Sequence, residues 1–268
     1  MSTPTPFERF SVRYYNTGGT KVEWTLHRQF TDPEPHSFQL QGATGPVDTA
    51  DWRDVGLAAQ NVFFLVDDEE RLHGASDDWY YRIKLTTPLR TYYSKPLSNR
   101  ENLNFRDWRL AADMVRKERL RLEHLVGRDM VMLKRKRAGT RCTACTDPLT
   151  NEVNNSNCEV CEGTGIVDGY FAGVPAFVEV PVAQADEQLD NVQAAGHVFN
   201  TVLPGCRVMG EPAPNVYDVF VDENAGVRYV VRRVQDAAVH RGYPVATTVT
   251  LNRLPYGDRA YRVPLEGV

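Results

Sequence analysis

This chain has no run approaching the roughly eighteen consecutive apolar residues that a membrane-spanning helix needs. Its first twenty residues hold no apolar core of a secretory leader, which points to a cytosolic origin. Net charge is only −4, so no global field draws the chain to nucleic acid. Familiar catalytic signatures are missing as well. There is no Gly-x-Ser-x-Gly elbow, no glycine-rich phosphate loop ending in Lys-Ser/Thr and no His-Glu-x-x-His. The six histidines, His27, His36, His73, His124, His197 and His240, are scattered. The acidic pairs Asp67-Asp68 and Asp77-Asp78 fall beside turn signals, where carboxylates cap or face water. These absences argue against an enzyme.

Cysteine is sparse too, with five residues in 268, but four of them are concentrated as Cys142-x-x-Cys145 and Cys158-x-x-Cys161. Two such pairs separated by twelve residues have the spacing of a tetrahedral metal site. The polar loop 146–157 offers almost nothing to bury and needs its ends tied together. Zn²⁺ on four thiolates would do so, and structural zinc contributes about 10–16 kcal/mol in small peptides. An iron–sulfur cluster and two disulfides are the alternatives. A closed four-sulfur site leaves no open position for water, so its role is structural. Cys206, in Leu203-Pro204-Gly205-Cys206, reads as a small buried apolar residue.

Twelve Tyr, eleven Phe, 19 Gly and 16 Pro suit short strands and many turns. In the first hundred residues Val22, Trp24 and Leu26 alternate with polar neighbours, as do Phe38 and Leu40, and Tyr81, Ile83 and Leu85. Val62–Val66 is a short apolar run, and Tyr92-Tyr93 begins a last strand ending at Pro96. Asp51–Gln60 reads as a loop. Turn clusters at 16–19, 32–35, 42–46 and 74–78 separate the strands, the pattern of a β-sandwich.

A helix follows, with Asn104 as N-cap, Asp107 in its first turn and Gly127 as its stop. Its apolar spacing takes in Trp108, Ala111, Ala112, Val115, Leu122, Leu125 and Val126. Arg116, Lys117, Arg119, Arg121 and Glu123 read as a solvated face. Val131-Met132-Leu133 predicts a strand leading to the cysteines through the basic run Lys134, Arg135, Lys136 and Arg137, with Arg141 beyond. Such a run can compensate the charge of about −2 on a zinc tetrathiolate, or meet a neighbouring subunit. Contact with DNA is the competing use. The tail is β-rich again. Pro175–Val182 reads as an edge strand, Val216–Val221 and Val227–Val234 as a hairpin around 222–226, and Val245–Leu254 as a last strand. A short helix could form at 183–195.

Residues 5–98 resemble a fibronectin type III module. Trp24 stands where that family has its core tryptophan on the second strand. Phe38-Gln39-Leu40-Gln41 is similar to its third strand, and Trp79–Leu85 to its sixth. The Cys-x-x-Cys-x-Gly-x-Gly pattern at 158–165 resembles a half-repeat of the Hsp40 cysteine-rich domain. Cys142–Asp147 lacks those glycines and no His-Pro-Asp occurs, so the likeness is a local zinc turn. The tract Leu133–Cys142, then Asp147-Pro148-Leu149-Thr150 and Cys158–Tyr170, resembles virion structural proteins of tailed bacteriophages. The stretch from Asp218–Val221 to Arg228–Val231 is similar to small β-barrel head–tail joining proteins.

Taken together, a mainly β chain is expected. It has a fibronectin type III-like sandwich at 1–98 and a helix with a basic strand at 99–138. A zinc-ribbon-like insert at 139–168 holds the metal on Cys142, Cys145, Cys158 and Cys161, and a β-barrel or sandwich fills 169–268. The resemblance implies a non-enzymatic virion component at the neck or the tail baseplate. Its partners would be other virion proteins and copies of itself in a ring, with no membrane. The alternative is a zinc-ribbon nucleic-acid-binding protein acting through Lys134, Arg135, Lys136, Arg137 and Arg141.

Overall fold

The computed structural model describes residues 5–14, 19–44, 47, 50–68, 79–98, 103–147, 150, 152–155, 158–181, 202–209, 212–241 and 243–265. Residues 16–18 and 45–46 of the turns expected at 16–19 and 42–46, the whole turn at 74–78 and the short helix at 183–195 lie outside them, as do the pair Asp77-Asp78, His73 and His197, whereas residues 42–44 end the strand Ser37–Thr44 instead of turning. The described chain is mainly β, with fourteen strands and one α-helix. Contacts divide it into two compact units, Met1–Ala112 with Arg137–Thr140, and Asp113–Lys136 with Arg141–Val268.

The first unit contains β1 (Phe7–Tyr14), β2 (Thr20–Leu26), β3 (Ser37–Thr44), β4 (Arg53–Gln60), β5 (Phe64–Asp67), β6 (Trp79–Thr86), β7 (Thr91–Tyr93) and β8 (Leu97–Ser98). They form two antiparallel sheets, β1-β2-β5 and β4-β3-β6-β7, with β8 paired to β6. Period-two alternation explains the core. Val22 and Trp24 from the first sheet meet Phe38, Leu40, Tyr81, Ile83 and Leu85 from the second. Trp24 lies 4.9 Å from Phe38, ring to ring. Tyr81 is fully buried and donates its hydroxyl to Asp67 at 2.8 Å.

Asp51–Gln60 is therefore no loop. Most of it is β4, an edge strand that pairs with β3 across a bulge and leaves Leu57 almost wholly exposed. Backbone pairing and bonds from the Gln39 and Gln41 side chains hold it, and of its apolar residues Val55 packs on the core while Leu57 does not, so its side chains carry no alternating pattern. Gly56, at φ +68°, supplies the left-handed residue within this irregular strand.

Helix α1 (Phe105–Arg121) begins as expected. Asn104 accepts from the Asp107 N–H at 2.9 Å and donates to the Asp107 carboxylate at 2.6 Å. At its end the ladder widens into a π-helical turn, Leu122–Val126. That extra residue per turn rotates the apolar stripe. Leu122 stays buried, but Leu125 is 79% exposed and Val126 is 42% exposed, contrary to the expected core face. Gly127 ends the helix in an extended conformation rather than a left-handed one, and a Cβ there would strike the Leu122 carbonyl.

In the second unit six strands close into an antiparallel barrel: β9 (Arg128–Leu133), β10 (Val174–Glu179), β11 (Val202–Met209), β12 (Val219–Asp222), β13 (Val227–His240) and β14 (Tyr243–Arg253). Their order around the barrel is β10-β11-β14-β13-β12-β9. Met130 and Met132 of β9 point into the barrel beside Val178, Cys206, Phe220, Val231 and Leu251. Val131 and Leu133 point outward, under Ala260 and Val263 of the C-terminal segment. Cys206 is fully buried in the barrel, as expected, and burial pushes its thiol up to about 12.

The strand expected to lead into the cysteines is thus a stave, paired with β10 on one side and β12 on the other. β10, expected at an edge, is also a stave. Its Pro175 is accommodated because β11 joins only at Val178 and Glu179, so Pro175 pairs with β9 alone. The bulge in β11 between Leu203 and Cys206 takes up Pro204 and Gly205, the latter at φ +70°.

Candidate metal centre

β9 and β10 are adjacent antiparallel staves, yet residues 134–173 separate them. This excursion continues their hairpin outward. Met132 pairs with Val174, Arg135 bridges Tyr170, Arg141 bridges Ile166 and Thr146 bridges Val153. The Phe171 N–H donates to the Lys134 carbonyl, and the Lys136 N–H to that of Gly169, each at 2.9 Å. The Cys142 N–H donates to the Gly165 carbonyl at 3.0 Å. Cys142 and Cys145 thus lie on the outgoing arm, and Cys158 and Cys161 on the returning one.

All four cysteines are buried, at 0, 5, 5 and 0% exposure in chain order. Their sulfur atoms lie within 4.8 Å of one another. Cys142 Sγ is 3.6 Å from Cys158 Sγ, and Cys145 Sγ is 3.3 Å from Cys161 Sγ. These separations far exceed a disulfide bond of about 2.05 Å, and all four thiols are free. Four soft donors converging on one point can hold a metal ion. Among the described residues, the half-buried Val153 packs against the sulfurs.

The backbone is folded to serve the sulfurs. Glu162, Gly163 and Gly165 take φ of +50°, +75° and +80°, turning the chain sharply after Cys161. The Gly165 N–H thereby donates to Cys161 Sγ at 3.3 Å. A Cβ on Gly165 would sit 2.5 Å from Val153 Cγ2. Thr164 Oγ1 lies 2.7 Å from the Cys161 carbonyl and 3.0 Å from that of Ile166, locking the turn from behind.

Burial pushes the Cys145 and Cys161 thiols above their ordinary range. The Val160 N–H, opposed by burial and aided by the Cys161 N–H, lowers Cys158 to about 7. Sulfurs this close and this dry resist ionising together, and a bound cation removes that resistance. The donor set therefore fits a metal ion.

The basic run is dispersed. Lys134 is buried, pairing with Asp218 at 3.6 Å and donating to the Ala213 carbonyl. Lys136 is also buried, its ammonium 5.6 Å from the Phe171 ring. Arg135 donates to the Thr164 carbonyl at 3.1 Å, bracing the turn behind Cys161. Arg141 is half-buried and Arg137 exposed. On the helix, Arg116 and Lys117 are exposed, Lys117 pairing with Asp113 at 2.6 Å, but Arg119, Arg121 and Glu123 of the expected solvated face are half-buried, and Arg121 donates to Glu179 of β10 at 3.2 Å.

Sequence reasoning missed Glu159. It stands between the last two cysteines and accepts from Arg259 at 2.8 Å and Arg262 at 2.9 Å. The only signal was an acidic residue inside a Cys-x-x-Cys loop, and its partners lie a hundred residues away.

No protein-family model matches the chain, and no curated protein does. Three solved chains match. One, "Titin kinase and its flanking domains", is 10% identical with a TM-score of 0.28. That alignment covers 94% of this chain, which spans 38% of the titin chain. A superposition this loose defines no shared fold.

Proposed function

We propose that the chain is a non-enzymatic structural component of a tailed-phage virion, placed at the neck or the tail baseplate. Zn²⁺ on Cys142, Cys145, Cys158 and Cys161 is its structural metal. The observation that carries this reading is the clasp of four buried sulfurs in the excursion between two adjacent staves. Zn–S bonds of about 2.3 Å place tetrahedral sulfurs about 3.8 Å apart, close to the 3.6 Å and 3.3 Å found across the two arms. With every sulfur buried, the site suits holding rather than turnover.

The nested bridges on both arms support a zinc-ribbon-like reading of the excursion. Two antiparallel sheets of three and four main strands around Trp24 and Tyr81 support a fibronectin type III-like reading of the N-terminal unit. A closed barrel carrying a metal-clasped excursion suits a part that fixes spacing within a ring, where symmetry multiplies each contact. A nucleic-acid role gains less support, because Lys134 and Lys136 are buried.

Electron microscopy of intact particles carrying a labelled chain tests the placement. Label at the neck or the baseplate upholds the reading, and particles without label refute it. Cys142→Ser should abolish particle assembly while leaving the N-terminal sandwich folded. Normal assembly of the mutant would remove the clasp from the account. DNA binding that weakens steeply with salt would favour the nucleic-acid role instead.

A further inference from the structure

The segment after β14 lies across the outer wall of the barrel. Ala260 and Val263 bury against Val131, Leu133, Val219 and Val221. Arg228, itself buried, fixes this strap from the barrel side. It donates to the Ala260 carbonyl, and to the Val263 carbonyl at 2.9 Å. The Asp258 carboxylate accepts from the Ala260 N–H at 2.8 Å and starts a 3₁₀ turn, Arg259–Arg262. Residues i and i+3 eclipse in such a turn. Arg259 and Arg262 therefore project from one edge, and one carboxylate, Glu159, meets both.

Glu159 belongs to the loop that presents Cys158 and Cys161. That loop has little packing of its own, and Val160 beside it is 54% exposed. Its position is set by the sulfurs that flank it.

We infer that Glu159 latches the C-terminal strap to the four-cysteine knuckle, so that metal occupancy and strap closure are coupled. The inference rests on the reading of the four cysteines as a metal site. With metal bound, the knuckle holds Glu159 opposite the two arginines. Without metal the knuckle loosens, Glu159 leaves, and two like charges remain on one edge of a short turn. The barrel-side hold through Arg228 persists, so the strap opens more often rather than detaching. Coupling is reciprocal: a closed strap raises metal affinity by the same factor that metal favours closure.

Hydrogen–deuterium exchange on the full chain tests this, read at the amides of Ala260, Tyr261 and Val263. The states compared are zinc-loaded, chelator-stripped, and Glu159→Gln loaded with zinc. Exposed ion pairs of this kind shift such equilibria by roughly two- to fivefold. Stripped wild type and loaded Glu159→Gln should each exchange faster than loaded wild type by about that factor. Glu159→Gln should also yield zinc to a competing chelator more readily by a similar factor. Equal strap exchange in loaded wild type and loaded Glu159→Gln overturns the latch. Stripping that accelerates the strap as much in Glu159→Gln as in wild type overturns it as well. A chain that takes up no metal fails the metal reading itself and the coupling with it, whereas a chain that binds zinc with an indifferent strap fails the coupling alone.

Discussion

Single atoms decide the shape of the cysteine knuckle. Gly165 is needed for two reasons at once. Its φ of +80° is one that L side chains rarely adopt, and the space a Cβ would take belongs to Val153. Gly165→Ala should cost about 1–3 kcal/mol in the excursion. It should lower metal retention against a chelator and leave the N-terminal sandwich unchanged by circular dichroism. Asp168 and Glu162 also take positive φ, at +50° each, without being glycine. The returning arm is thus held in a demanding path by its bridges and by Thr164.

At the scale of elements, β9 serves two cores. Its even residues fill the barrel and its odd ones the wall under the strap. Met132→Ala and Leu133→Ala point to opposite faces, yet each should cost about 2–5 kcal/mol in urea unfolding. Leu125→Ala, on the exposed π-helical turn, should stay within about 0.5 kcal/mol.

A second element-level expectation concerns acid. Arg121 donates to Glu118 and Glu179, and Arg207 to Glu118 at 2.5 Å, tying α1 to β10 and β11. The Arg121 guanidinium holds the Glu179 carboxyl below the usual range. A carboxyl lowered in the folded state binds fewer protons there than in the unfolded chain. Its contribution is therefore complete above the ordinary carboxylate value and is lost as pH falls through the lowered one. Between about pH 7 and pH 3, Glu179→Gln should flatten the fall in melting temperature of the barrel unit.

Legibility followed side-chain pattern. Trp24, Phe38, Leu40, Tyr81, Ile83 and Leu85 alternate, and the sandwich core could be read from them. The four sulfurs could be read from spacing. β4 could not, because this edge strand is mostly exposed and its bulge breaks the alternation, with Val55 on the core and Leu57 in solvent. β11 could not, because Pro204-Gly205 interrupts its alternation, and the chain takes the pair up as a bulge. The exposure of Leu125 depends on a π-helical ladder that helical periodicity does not contain. Glu159 was invisible because its arginine partners are joined to it only by the fold.

For the whole molecule, the four metal ligands all lie in the second unit. Chelation should accelerate amide exchange across 141–166 while the exchange of β2, β3 and β6 stays fixed. Restoring free zinc to a hundredfold excess over its dissociation constant should recover about 2.7 kcal/mol in the second unit.

The nested path from Leu133 out to the cysteines and back to Val174 also bears on the order of folding. Two neighbours in the barrel wall meet only after a long intervening stretch has doubled back. Pinching that stretch at its waist shortens the wandering part from about forty residues to about twenty, lowering the entropic barrier to their meeting by about 0.6 kcal/mol. An ion captured early would thus set the alignment of the whole wall, and a nascent chain starved of it would reach the same cylinder more slowly, with its apolar lining open to water in the meantime.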